Sequence, residues 1–257
     1  MLPVFAGIVL AFLIIPVLIL VPVSLSSVGY LVFPPPGLSW RWFHAVFADR
    51  GWLGSFALSL RVAGWVALLS TALGTGAAVG LVRGALPARK TIYVVLLAPL
   101  VVPTIITAIG LYFVFARLHL VGNVTAIVLG QAVLNVPIVT ILVAITLQGL
   151  DPQLEYAAEI HGASPLRTFL RVVLPLISPG VVAAALFAFL GSFDELLVAL
   201  FVAGPLHQTL PMRIWNTVQF ELDPSVATVS VMVTTLAVAI LALGAWLQSR
   251  RPAETRE

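Results

Sequence analysis

Residues 150–175, LDPQLEYAAEIHGASPLRTFLRVVLP, form the stretch whose reading decides the fold. It is the longest polar interruption between apolar segments that still carries helical periodicity. Asp151 is a capping residue, and Pro152 suits the first helical position, where its missing N–H costs nothing. Leu154, Ala157, Ala158 and His161 recur at i, i+3, i+4 and i+7, on one helix face. Gly162 is a natural left-handed stop. A second start follows at Ser164 and Pro165. Leu166, Phe169, Leu170 and Val173 make its apolar stripe, with Arg167 and Arg171 on another face. The pattern predicts two short helices with a sharp bend at Gly162. The first offers small residues, Ala157 and Ala158, that let another protein approach closely. The second is suited to lie on a membrane surface with its arginines toward head groups.

Outward from this loop the chain is apolar. Of 257 residues, 61% are hydrophobic and 9% charged, against about a quarter charged in soluble domains. The apolar runs match the ~20 residues that a helix needs to cross a bilayer. Six spans are predicted, at 3–28, 55–82, 91–116, 124–148, 177–203 and 225–248, in a single all-α membrane domain covering 1–257. The first lacks a basic leader and is long for a signal peptide, so it reads as a retained helix that Pro16 and Pro22 would bend. Residues 29–54 read as a loop with a stiff triple proline, in which Trp40, Trp42 and Trp52 look like interface anchors.

An even number of spans puts both ends on one side. With the 150–175 loop placed in the cytoplasm, Arg83, Arg89, Lys90, Arg167, Arg171, Arg250, Arg251 and Arg256 are inside. Arg41, Arg50, Arg117 and Arg213 are outside, and Arg61 lies in a span. This asymmetry follows the positive-inside rule and makes both termini cytoplasmic. A net charge of +3 arranged this way points to membrane topology and not to nucleic acid. The absence of cysteine excludes disulfides, thiolate metal sites and cysteine catalysis.

Charge inside a span is costly and should face protein or water. Arg61 in the second span, and Asp194 with Glu195 in the fifth, are the candidates, at similar depths. Adjacent helical residues point about 100° apart, so the two acids cannot share a face. An ion pair between Arg61 and one acid would neutralise both; the other acid could line a solute path and attract a cation. Thr104, Thr107, Gln131 and Asn135 add polar groups, and Pro99, Pro103 and Pro137 interrupt their helices. Such groups serve as interhelical bonds or line a wet cavity. The four histidines show no metal-ligand spacing, no G-x-S-x-G elbow is present, and no G-x-x-x-x-G-K-[ST] loop could cradle a nucleotide.

Residues 150–175 resemble the cytoplasmic "EAA" coupling loop of membrane subunits of binding-protein-dependent ABC importers. Ala157, Ala158, Gly162, Val172, Leu174 and Pro175 fall on the motif. The motif glutamate position is Tyr156, preceded by Glu155, which leaves open which side chain meets the ATPase. Further strings, SWRWFHAVF, APLVVPTIITAIGL and GSFDELLVALFVAGPLHQTLPMRIW, look like the polyamine branch (spermidine and putrescine), specifically the second of two unlike permease subunits.

The resemblance implies a type I ABC importer permease fold with six transmembrane helices in a bacterial inner membrane. It implies a homodimeric ATPase below that carries ATP and magnesium, a second non-identical permease alongside, and an extracytoplasmic solute-binding protein above. No cofactor is expected in this chain. By the same resemblance Glu155, Tyr156, Ala157, Ala158 and Gly162 would contact the ATPase. Asp194, Glu195, Trp42 and Thr104 would lie along the substrate path, of which Thr104 stands where polyamine members often carry an acid. The branch also includes carriers of other small amines, amino acids, opines and aminophosphonates. The alternatives are a secondary transporter driven by an ion gradient, which should hold more intramembrane carboxylates, and an intramembrane enzyme, which should hold paired catalytic groups.

Overall fold

A computed structural model describes residues 2–221 and 223–249. Arg250, Arg251 and Arg256, counted above for topology, lie outside the described residues. Every regular element among the described residues is a helix, and the one antiparallel bridge, Ser26 to Leu38, is isolated. The chain divides into two compact units, with both boundaries inside helices. One comprises the stretches up to Phe56 and from Met212 onward; the other is Ala57–Pro211.

In the first unit, α1 (Leu2–Ser24) packs on α12 (Ser225–Ser249), which also meets α2 (Arg41–Ala48). Helix α1 runs unbroken through Pro16 and Pro22 and ends at Ser24, short of the expected residue 28. Buried Thr228 fastens the pair by donating its hydroxyl to the Ser24 carbonyl at 3.2 Å. The supposed loop 29–54 is half helical. Asp49 ends α2 and starts α3 (Arg50–Val82), its carboxylate accepting the Gly51 N–H at 2.6 Å. A side-chain oxygen satisfying an N–H of the first turn is a strong start signal, and it moves the helix start to Arg50 from the expected 55. Trp52 is buried under the Arg213 guanidinium, 4.8 Å from its ring centre, and so is no interface anchor.

In the second unit the core helix is α6 (Val124–Gln148), which packs on α9 (Leu174–Phe193). Val139, Val143 and Leu147 on α6 meet Ile177, Ala184 and Ala188 on α9, with Ala78 of α3 alongside. At Gly180 a Cβ would collide with the Thr146 side chain, which packs directly against the bare glycine. Pro137 does not interrupt α6, and Pro99 does not interrupt α4 (Arg89–Val101). Pro103 does break the third span. Val102 before it takes the extended conformation that proline imposes on its predecessor, and α5 (Thr104–Arg117) leaves at 106° to α4.

The fifth span also differs from expectation. The second helix of the loop is not a separate short helix. Instead α8 (Pro165–Thr168), a π turn (Phe169–Val173) and α9 run on as one 29-residue helix, Pro165–Phe193. It starts well before residue 177 and stops before 203, because the chain unwinds at Asp194 and re-enters a short helix α10 (Leu197–Val202). Phe5–Ser24, Arg50–Val82, Val124–Gln148 and Pro165–Phe193 are long and apolar enough to cross a membrane, and the bent α4–α5 pair makes a fifth if it is one crossing. The apolar stretch of α12, Ser225–Ala239, is shorter.

Candidate coupling and transport sites

The loop that decided the fold carries helix α7 (Gln153–Ile160). Asp151 accepts the Gln153 N–H at 2.9 Å, which sets the helix start one residue after Pro152. Gly162 ends it at φ +82°, the left-handed geometry that a side chain resists. His161 closes the last turn through Nδ1, 2.7 Å from the Ala157 carbonyl. No residue of α7 is buried, and Leu154, Tyr156 and Ile160 expose large side chains, Ile160 by 84%. Large apolar side chains left exposed together are a feature of interaction sites in other proteins.

The side chains at positions 155 and 156 point in different directions. Glu155 turns toward the bundle, where its Oε1 accepts from Arg83 Nε at 2.7 Å. Tyr156 turns outward and is 63% exposed. Ala157 is exposed and Ala158 half-buried. Of the five residues expected to meet an ATPase, Tyr156, Ala157 and Gly162 are presented, while the Glu155 carboxylate is engaged within the chain. Arg83 entered the sequence reading only as a topological charge; nothing local marks a partner 72 positions away.

A second polar constellation sits where α9 gives way to α10. Glu195 is half-buried and fully occupied: Oε1 accepts the Val198 N–H at 2.8 Å, and Oε2 accepts the Ala199 N–H at 3.3 Å and Gln131 Nε2 at 3.1 Å. Gln131, wholly buried, also accepts from Ser192 Oγ at 2.6 Å, and its carbonyl accepts from Asn135 Nδ2 at 2.9 Å. Glu195 thus starts α10 and pins it to α6. Asp194, its neighbour, is exposed; its N–H donates to the Leu190 carbonyl at 3.1 Å, while its carboxylate makes no hydrogen bond or ion pair among the described residues.

Arg61 pairs with neither acid; it is exposed and leans on the Ala57 carbonyl at 3.4 Å. Thr104 is half-buried at the first residue of α5, just past the Pro103 break. In the first unit, Trp42 donates Nε1–H to the Val28 carbonyl at 3.2 Å and lies under Arg41, 4.6 Å from its ring centre. The acidic pair therefore splits into one structural and one free carboxylate.

Residues 70–251, which hold both constellations, match the family described as "Binding-protein-dependent transport system inner membrane component". The chain belongs to this family. It is 33% identical over 252 residues to the putrescine transport system permease protein PotI of Escherichia coli K12, covering 95% of this chain and 89% of PotI. It is 28% identical to the spermidine/putrescine transport system permease protein PotC of Haemophilus influenzae, covering 93% of each. Its fold matches a chain in the crystal structure of a bacterial ABC transporter involved in import of the polysaccharide alginate, with TM-score 0.72, 15% identity, and 97% of this chain and 94% of that one covered. The permease is accordingly a multi-pass membrane protein of the type I ABC importer fold. It is a transport subunit rather than an enzyme, and it belongs to an importer assembly. The ion-gradient carrier and the intramembrane enzyme are set aside by the same membership.

Proposed function

We propose that this permease moves a small amine-type solute across the bacterial inner membrane as one of two non-identical permease subunits over a homodimeric ATPase. The observation that carries the reading is the free carboxylate of Asp194, exposed beside a break in a membrane-length helix, in a chain whose relatives are named for putrescine and spermidine/putrescine transport. An unpaired carboxylate on such a path attracts a cation. The fold crosses the membrane six times as a single permease domain, with α7 and both termini in the cytoplasm. A binding protein delivers the solute from outside. The partner ATPase binds ATP and magnesium and, on closing, drags α7 through Tyr156, Ala157, Ala158 and the Gly162 bend. Only a difference in affinity for the two access states can drive such a shift.

Thr104 beyond Pro103, with Glu195 already committed to α10, leaves fewer carboxylates than a polycation would favour. A monoamine or zwitterion such as an amino acid, opine or aminophosphonate fits this balance as well as spermidine or putrescine. The test is reconstitution of the permease with its ATPase, second permease and binding protein in proteoliposomes. ATP-dependent uptake of a labelled amine is expected. Uptake by this chain alone that disappears when the ion gradient is collapsed would overturn the reading.

A further inference from the structure

We infer that Arg83 is a positioning residue that carries the displacement of α7 into the helical bundle; the inference rests on α7 being the ATPase-facing segment. Arg83 stands directly after the last residue of α3. Its Nε donates to Glu155 Oε1 at 2.7 Å, and its Nη2 donates to the carbonyls of Leu147 at 3.2 Å and Leu150 at 2.8 Å. Helix α6 ends at Gln148, so Leu147 lies in its last turn, where its carbonyl also takes the Leu150 N–H at 3.2 Å, and Leu150 lies just beyond it. One planar guanidinium therefore joins the end of α3, the end of α6 and the first turn of α7. A rigid fork of donors transmits position in a way that a lysine on a flexible stem does not.

Two observations make this tie mechanical rather than incidental. First, α7 has no buried residue and its main neighbours are α8 and the π turn that follow it in the chain, so the Glu155–Arg83 pair is what ties it to the end of α3. Its covalent exit runs through Gly162, a permissive residue at φ +82°, which bends more readily than it pushes. Second, the ion pair borders a cavity of about 330 Å³ lined by Gly80, Gly84, Glu159 and Thr168 among others. The Thr168 hydroxyl is buried there without a partner. The ion pair thus sits beside open space into which α7 has room to shift. Both side chains of the pair are 22% exposed, so salt screens them less than a pair on the open surface.

The experiment measures solute taken up per ATP hydrolysed by the reconstituted complex, for wild type, Arg83→Gln and Glu155→Ala. Alanine keeps α7 helical while removing the carboxylate. In both variants the ratio is expected to fall about tenfold, within the usual range for coupling between sites. Misassembly removes complexes from uptake and hydrolysis alike and leaves the ratio unchanged, so the ratio separates transmission from a merely structural role. A wild-type ratio in Glu155→Ala overturns the inference, and that variant decides alone should Arg83→Gln fail to assemble. Absence of ATP-driven uptake in the wild-type complex overturns the importer reading instead, before either variant is compared.

Discussion

Gln131 Nε2 donates to Glu195 Oε2 at 3.1 Å while Gln131 Oε1 accepts from Ser192 Oγ at 2.6 Å, so one buried amide on α6 holds both sides of the break between α9 and α10. Breaking a membrane helix frees backbone groups that lipid cannot satisfy. Here the Glu195 carboxylate takes the first N–H groups of α10, and Gln131 holds the carboxylate in place. The break is thereby stable without water, and it leaves Asp194 facing away from the network.

Gln131→Leu should strand Glu195 and Ser192 together. Interhelical hydrogen bonds in membrane proteins contribute about 0.6 kcal/mol on average and up to about 1.7, and this amide makes two to side chains. A loss of about 1–2 kcal/mol is expected, read as a lower midpoint of thermal unfolding in detergent. An unchanged midpoint would show that the network is dispensable.

Asp194→Asn should behave oppositely. The side chain makes no bond among the described residues, so stability should hold, while uptake of a cationic amine falls about tenfold, equivalent to about 1.4 kcal/mol. Uptake kinetics and thermal unfolding on one preparation check this. A variant that unfolds early but transports normally would reverse the roles assigned to the two acids.

Gly162→Arg places a side chain where φ is +82°, a conformation that costs ordinary residues about 1–2 kcal/mol. Nothing lies within 4 Å of the position a Cβ would take, so backbone strain and not collision sets the effect. The expected outcome is ATP hydrolysis uncoupled from uptake with the membrane helices intact by circular dichroism. Normal uptake in this variant would show that α7 is not the coupling segment.

Gly51→Ala should destabilise the first unit. A Cβ at this position collides with the guanidinium of Arg213, which donates to Asp49 Oδ2 at 2.8 Å and covers Trp52. The guanidinium is the movable end of a flexible side chain, so the cost is that of losing its ion pair with Asp49 and its contact with Trp52, about 1 kcal/mol. Asp49→Ala loses the α3 cap as well as the ion pair and should cost about 1–2 kcal/mol. Denaturation midpoints of the two variants test both; a neutral Gly51→Ala would mean that Arg213 swings aside freely.

What the sequence determined by itself was whatever is local. Apolar runs of bilayer length, the stop at Gly162 and the pairing of Asp151 with the start of α7 all act within a few residues, where composition and spacing suffice. Pro103 broke its helix while Pro99 and Pro137 did not, although the three residues are chemically identical. Proline removes one hydrogen bond, and whether the helix continues depends on the neighbours that satisfy the freed carbonyl. The Asp49 cap was equally local but was hidden by the aromatics around it.

Tertiary structure alone decided the partners. Arg83 and Glu155 lie 72 positions apart, and Gln131 and Glu195 lie 64 apart. Neither pairing follows from period or propensity, because direct bonding requires two helices to arrive at one place with one rotation. For the same reason the sequence offered Arg61 as a partner for the acids, from similar depth alone. Depth is read from span length, but the direction a side chain faces is set by what its helix packs against, and that exists only once the bundle has formed.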